Sequence, residues 1–164
     1  MSAAMSAAPR VSVLLPVRDG ASHLGEAIES VLADRFRDFE LLVIDDGSRD
    51  ASPAIALAFA ARDPRVTLLQ QSALGLVAAL NAGLSRARGE YVARMDADDR
   101  SRPERLTRQV AYLDVHPECA AVGCAYLEID DIRIARAGWQ RQTARTAGIR
   151  GHRGCGNGEQ WRPK

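Results

Sequence analysis

Lysine is all but missing from these 164 residues: the single one is Lys164, the last residue. Schiff-base chemistry and a phosphate-binding loop built on a lysine are thereby excluded for the body of the chain. Cysteine is scarce too. Cys119, Cys124 and Cys155 cannot all pair within one chain, and none shows a C-x-x-C spacing, so neither a zinc knuckle nor a disulfide framework is expected. No run approaches the roughly 18 uncharged apolar residues of a membrane span. Residues 1–9 (MSAAMSAAP) lack the basic start and continuous apolar stretch of a signal peptide, so they read as a flexible N-terminus and the cytoplasm is the expected location. What remains is globular in composition. With 46% hydrophobic and 26% charged residues, a chain of this length can bury the core of one ordinary domain.

The formal net charge of +1 conceals a division. From Arg133 onward, seven arginines and Lys164 face a single acid, Glu159. The preceding residues carry 14 basic against 20 acidic side chains. A body of that sign offers no basic surface for nucleic acid, whose phosphates require one.

Along the chain, apolar runs alternate with stretches of helical periodicity. Val11 to Pro16 (VSVLLP) and Leu41 to Ile44 (LLVI) read as strands buried on both faces of a parallel sheet. Val66 to Leu69 and Tyr91 to Met95 continue the series, and Ala121 to Cys124 and Tyr126 to Ile129 are shorter candidates. Between them the spacing predicts helices from His23 to Leu32 with Ser22 as cap, Ala54 to Ala61, Leu74 to Ala87 with Gly89 ending it, and Pro103 to about Val115. This alternation implies an α/β fold, a Rossmann-like, mostly parallel sheet flanked by helices, with ligands beyond the carboxyl ends of the strands. The polar clusters fall at those ends: Arg18-Asp19-Gly20, Asp45-Asp46-Gly47-Ser48, and Asp96 to Asp99. The pattern stops near Asp131. Residues 132–164 hold six glycines, seven arginines and few large apolar groups without periodicity, which predicts a basic, disordered tail.

Asp96-Ala97-Asp98 is the sharpest local signal. Two carboxylates two residues apart at a strand end suit a hard divalent cation, which commonly bridges protein carboxylate and substrate phosphate. Such a cation neutralises charge on a leaving diphosphate. An ordinary solvated turn uses the same residues, and it is the position after a buried strand that favours the ligand reading. Asp45 and Asp46 could hydrogen-bond a nucleoside or simply form a turn with Ser48 capping the next helix. Asn81, a poor choice inside a helix, could face a site or bond locally. His23, His116 and His152 show no partner spacing and read as surface or core residues. Arg100, Arg102, Arg105 and Arg108 read as a solvated helix face.

Taken together, VSVLLPVRDG (11–20), FELLVIDDGSRDAS (39–52), GLVAALNAGLSRARGEYVARMDADD (75–99) and RPERLTRQVAYLDVHPECAAVGC (102–124) resemble the N-terminal half of an inverting family 2 glycosyltransferase of GT-A fold. The resemblance covers about residues 10–131. It implies a donor of the UDP- or GDP-sugar class, Mg²⁺ or Mn²⁺, and hexosyl transfer to a glycan or lipid-linked acceptor hydroxyl in polysaccharide or cell-envelope synthesis, in the cytoplasm or at the inner face of the membrane. It places Pro16 and Val17 against the nucleoside with Asp19 at the pocket edge, Asp46 on the base with Asp45 before it, and Asn81 beside the donor. Asp96 and Asp98 fall on the D-x-D positions, Asp98 as the direct metal contact. This chain has Leu80 where many members carry a diphosphate-binding arginine. It also lacks a segment resembling the acceptor half that carries the general base, which inverting transfer requires. The expectation is a truncated chain, incomplete on its C-terminal side, with its last thirty or so residues read from a shifted frame. The alternative is a non-catalytic nucleotide-sugar binding module. A receiver-type phosphorylation domain is disfavoured by the missing lysine, and a sugar nucleotidyltransferase by the absence of a Gly-rich loop after the first strand.

Overall fold

The computed structural model describes residues 8–129 and 135–138. They form two units, one running to Thr107 and one starting at Arg108.

The first unit is an α/β sandwich built on two strands with no exposed position. Strands β1 (Val11–Val17) and β2 (Phe39–Asp46) are buried along their whole lengths. They pair in parallel, Val11 opposite Phe39. β3 (Val66–Gln71) joins the far side of β2 and β4 (Tyr91–Arg94) the far side of β1, both parallel, in the order β3-β2-β1-β4. The outer strands are only partly buried, as expected where one edge faces out.

Helices α1 (Ala21–Leu32), α2 (Ser52–Ala60) and α3 (Leu76–Arg86) make the crossovers. In α1, Leu24, Ala27, Ile28 and Val31 form the buried stripe, the i, i+3, i+4, i+7 spacing of one helical face. α1 packs on α2, and α3 lies over β2 and β1. Leu14, Leu42 and Ile44 meet Ala79 of α3, with Leu80 packed against the same cluster. By strand alternation Val13, Leu15, Leu41 and Val43 point to the opposite face.

At the amino edge of the sheet sits a buried polar cluster. The Ser12 hydroxyl donates to Glu40 Oε1 at 2.6 Å, and the Arg88 guanidinium reaches Glu40 Oε2 at 2.7 and 2.9 Å. The Arg88 amide donates to Glu40 Oε1 and the Gly89 amide to Ser12 Oγ. Burial works to raise the Glu40 carboxyl, but the bonds from Ser12 and from the Arg88 amide and guanidinium outweigh it and hold the group below its ordinary value.

Helix α4 (Arg105–Val115) begins in this unit. Its early Leu106 amide donates to Oδ2 of Asp34, a fully buried aspartate whose Oδ1 accepts from the Phe36 amide. In the second unit the Tyr112 and His116 rings stack at 4.0 Å, and β5 (Tyr126–Ile129) pairs antiparallel with β6 (Ala135–Gly138).

Several expectations need correction. α1 starts at Ala21, two residues before His23, and Ser22 lies within it; Gly20 is its N-cap and makes no side-chain bond. α3 ends at Arg86 on an extended Ala87, before Gly89. Residues 121–124 form no strand: they are small, mostly exposed and unpaired among the described residues. β6 falls in a stretch from which the pattern predicts no element. Cys119 is disulfide-bonded, whereas the cysteine count led us to expect no such framework, and Cys124 is free and exposed. The expected flexible N-terminus and basic tail lie, apart from residues 8–9 and 135–138, outside the described residues.

Candidate functional site

All four strands of the sheet are parallel, so the loops that follow them gather along its carboxyl edge. There an open cleft of about 330 Å³ is lined by Pro16, Val17, Arg18, Asp19 and Gly20 from the end of β1 and by Ser22 and His23 from the first turn of α1. Leu76 at the start of α3 and Asp96, Ala97 and Asp98 after β4 complete it. The loops after β1 and β4 are in close contact. A Cβ at Gly20 would come within 2.9 Å of Val17 Cγ2 in the same loop, while reaching Ala97 Cβ of the β4 loop only at an ordinary contact distance of 3.7 Å.

The β1 loop is fixed by the loop after β2. Asp19 sits at φ +50°, a left-handed conformation that aspartate tolerates better than most side chains. Its amide donates to Ser48 Oγ at 3.0 Å, and its Oδ1 accepts from the Arg49 amide at 2.7 Å. The Gly20 amide donates to Ser52 Oγ and the Ala21 amide to Asp50 Oδ2. The amides of the N-cap and of the first residue of α1 are therefore met by side chains at the start of α2, which the local sequence around Ser22 does not reveal.

Asp45 and Asp46 point to opposite sides of β2, and neither lines the cleft. Asp45 Oδ1 accepts from the Ser48 amide at 3.1 Å and closes the turn, in which Gly47 adopts φ +71°. Asp46 accepts three bonds. Gln71 Nε2 and the Leu74 amide reach Oδ1 at 2.7 and 2.8 Å, and the Gly75 amide reaches Oδ2 at 2.8 Å. The Gln71 bond, then the Leu74 amide, hold this carboxyl below its ordinary value against the opposing effect of burial, helped by the Gly75 amide and the charge of Arg18. Asp46 thus anchors the loop leading into α3. Asn81 is exposed on α3, away from the cleft lining.

The loop after β4 is different in character. Arg94 donates twice to Asp96 Oδ1, at 2.8 and 3.1 Å, leaving Oδ2 without a hydrogen bond among the described residues. The Asp98 carboxylate forms none there. Neighbouring Asp99 is held above its ordinary value, first by desolvation and then by the like charges of Asp96 and Asp98. Its side chain is exposed, which leaves the crowding of charge as the stronger influence. Downstream, this segment is secured to α1. Arg100 pairs with Glu26, the Ser101 amide donates to Ser30 Oγ at 2.9 Å, and the Arg35 amide donates to the Pro103 carbonyl at 2.7 Å.

These residues suit a divalent cation in a particular way. Among the described residues no three acids, histidines or cysteines converge to cage a metal. Asp96 and Asp98 instead offer two carboxylates with unused oxygens in a crowded negative loop. Mg²⁺-type sites that depend on one or two carboxylates and take the rest of their ligands from substrate phosphate and water need no more than this.

The structure therefore brings Pro16, Val17, Asp19, Asp96 and Asp98 to one opening and sets Asp45, Asp46 and Asn81 outside its lining. Arg18 is expected here only as part of a polar cluster at a strand end, without a role of its own, whereas Ser22, His23 and Leu76 join the cleft unannounced. No local spacing marks them, because they are brought together only by the packing of α1 and α3 on the sheet.

The "Putative glycosyltransferase EpsE" of Bacillus subtilis (strain 168) is 38% identical over 135 residues, covering 81% of this chain and 49% of that protein. Mannosyltransferase PcManGT from Pyrobaculum calidifontis, solved in complex with GDP-Man and Mn²⁺, superposes with a TM-score of 0.66 at 29% identity, over 73% of this chain and 36% of that one. S. aureus TarS 1-349 in complex with UDP-GlcNAc gives a TM-score of 0.57 at 26% identity, over 66% and 32%. The present chain thus spans about half the length of EpsE and about a third of each of the two structures. Its parallel sheet flanked by helices matches these neighbours of GT-A fold, and the sheet is not closed. The sequence model of glycosyl transferase family 2 matches residues 12–158. A match of that extent, on a fold of this kind, makes the chain a member of glycosyl transferase family 2.

Proposed function

We propose that this chain is the donor-binding part of an inverting, metal-dependent glycosyltransferase that moves a hexosyl group from a UDP- or GDP-sugar to a glycan or lipid-linked hydroxyl. The observation that carries the reading is the shared opening of Asp96, Asp98 and the end of β1 at the carboxyl edge of the sheet. The GDP-Man, UDP-GlcNAc and Mn²⁺ bound by structural neighbours support it.

In this reading the apolar surface of Pro16 and Val17 carries the nucleoside and Asp19 stands at its edge. Asp46 holds the loop at the entry of α3, and with three of about four acceptor positions used it retains room for one base N–H. Asp45 and the Ser48 amide keep the adjoining turn closed. Asn81 belongs to the helix that edges the donor. Asp96 and Asp98 would hold Mg²⁺ or Mn²⁺, whose contribution when bound is to offset charge on the departing diphosphate. The general base is assigned to no residue among those described. The cytoplasmic side of the membrane and polysaccharide or envelope glycan synthesis fit such an enzyme, and no helix among the described residues is long and apolar enough to cross a membrane.

Titration of the full chain with UDP- and GDP-sugars, with and without Mn²⁺, tests the proposal. Wild type is expected to bind one class in a Mn²⁺-dependent manner. Asp98→Ala should weaken that binding by about 100-fold, since changes even to residues behind a metal's direct ligands cost 10- to 100-fold. Unchanged Mn²⁺ dependence in Asp98→Ala would show the metal site to be misplaced. Tight donor binding without transfer to any of a panel of acceptors would favour the binding-module reading.

A further inference from the structure

The cleft is lined by three acids and by a single permanently charged cation, Arg18. Arg49 and Arg102, on neighbouring loops, are not part of the lining, and three further guanidiniums near this edge are engaged. Arg94 is bonded to Asp96, Arg100 is paired with Glu26, and Arg105 donates to Ser101 Oγ and the Arg94 carbonyl. Arg18 forms no hydrogen bond or ion pair among the described residues. It is exposed at the mouth of the cleft, and its charge is felt by Asp46 at the end of the adjacent strand. His23 also lines the cleft, but an imidazole is not a permanent cation near neutral pH. Helix α3 offers no charge to this opening either. Its first turn contributes Leu76, and Leu80 is committed to the apolar cluster under the helix.

We propose that Arg18 is the diphosphate-binding cation of this chain, its guanidinium meeting the phosphoryl oxygens of the donor from the β1 side of the cleft. The proposal rests on the nucleoside-diphosphate donor reading above and adds a residue to it. A guanidinium presents a rigid fork of donors that matches two phosphate oxygens at once and keeps its charge at any physiological pH. Asp96 and Asp98 would attract a cation to the opposite wall, while Arg18 needs no partner from the protein to be ready for an anion. Free of internal bonds, it loses none when the ligand arrives. Arg18 thus supplies charge where α3 has none.

The test compares ligands that share a base and differ in phosphate. UDP, GDP, uridine and guanosine are titrated into the full chain in the presence of Mn²⁺, for wild type, Arg18→Gln and Arg18→Lys. Arg18→Gln is expected to weaken the preferred diphosphate by about 10- to 100-fold, the scale of a charge-assisted hydrogen bond. The matching nucleoside should change less than about twofold, and Arg18→Lys should recover part of the loss, as a point charge without the fork. Unchanged diphosphate affinity in Arg18→Gln overturns the inference. So does an equal loss for nucleoside and diphosphate, which would place Arg18 against the base. Absence of any nucleotide binding by wild type overturns the donor reading and this inference with it, whereas wild-type binding undiminished in Arg18→Gln overturns this inference alone.

Discussion

The two edges of the sheet both carry carboxylates, and they treat them in opposite ways. At the amino edge, Glu40 is almost fully buried, yet the Ser12 hydroxyl and the Arg88 amide and guanidinium are turned toward it, and its acidity is strengthened. At the carboxyl edge, Asp96, Asp98 and Asp99 are crowded together with Arg94 as their main paired cation, and Asp99 is a weaker acid for it. An acid whose bonds are all met inside the fold is holding the fold together. Acids left partly unmet and close to one another gain from a charge supplied by something else.

The largest effect should come from breaking the satisfied edge. Glu40→Ala removes the acceptor for Ser12, for the Arg88 amide and for the Arg88 guanidinium. Breaking a buried ion pair from one side costs about 3–5 kcal/mol. Because the Arg88 side chain is half exposed, we expect about 3 kcal/mol, read by urea denaturation. A smaller loss, about 1–2 kcal/mol, is expected for Asp34→Ala, which uncaps the Leu106 and Phe36 amides.

Acid titration sharpens the comparison further, because the two edges should respond with opposite signs. Glu40 has a folded-state pKa below its unfolded value, so its stabilisation is present above the ordinary 4.5 and lost as pH falls through the folded value. Glu40→Gln should therefore destabilise at pH 7 and converge with wild type in acid. Asp99 is raised, so its ionisation costs stability as pH climbs past the ordinary 3.8. In EDTA, Asp99→Asn should stabilise slightly at pH 7, by about 0.3 kcal/mol as befits an exposed charge, and be neutral at low pH. Thermal melts of both variants across pH 3–7 would show the crossing; slopes of the same sign would remove the contrast.

Much of the fold could be read from the sequence because β1 and β2 are buried on both faces and must be apolar there. The reading fell short where chemistry interrupts the run. Glu40, Asp45 and Asp46 are still within β2, but a charged side chain looks like a strand end until its partners are known, and those of Glu40 and Asp46 lie 25 to 48 residues away. The same holds for the start of α1. Ser22 looks like the cap because it is adjacent, whereas Ser52 and Asp50 perform that role from across a loop. In the site, the polar clusters at strand ends were visible, Arg18 among them though without a role; Leu76 was not, since a leucine on a helix carries no local mark. β6, with the sequence ARAG, has neither alternation nor bulk to announce it.

The capping of α1 by its neighbour has a wider consequence. In many nucleotide-binding folds the bare start of the first helix cradles phosphate with its free amides and positive dipole end. Here Asp50 already occupies that place, a built-in anion that fills the socket. In the donor reading proposed above, a diphosphate would find this helix start taken and would depend for neutralisation on a cation and on Arg18. Strict dependence on added metal would then be a product of how one helix was plugged.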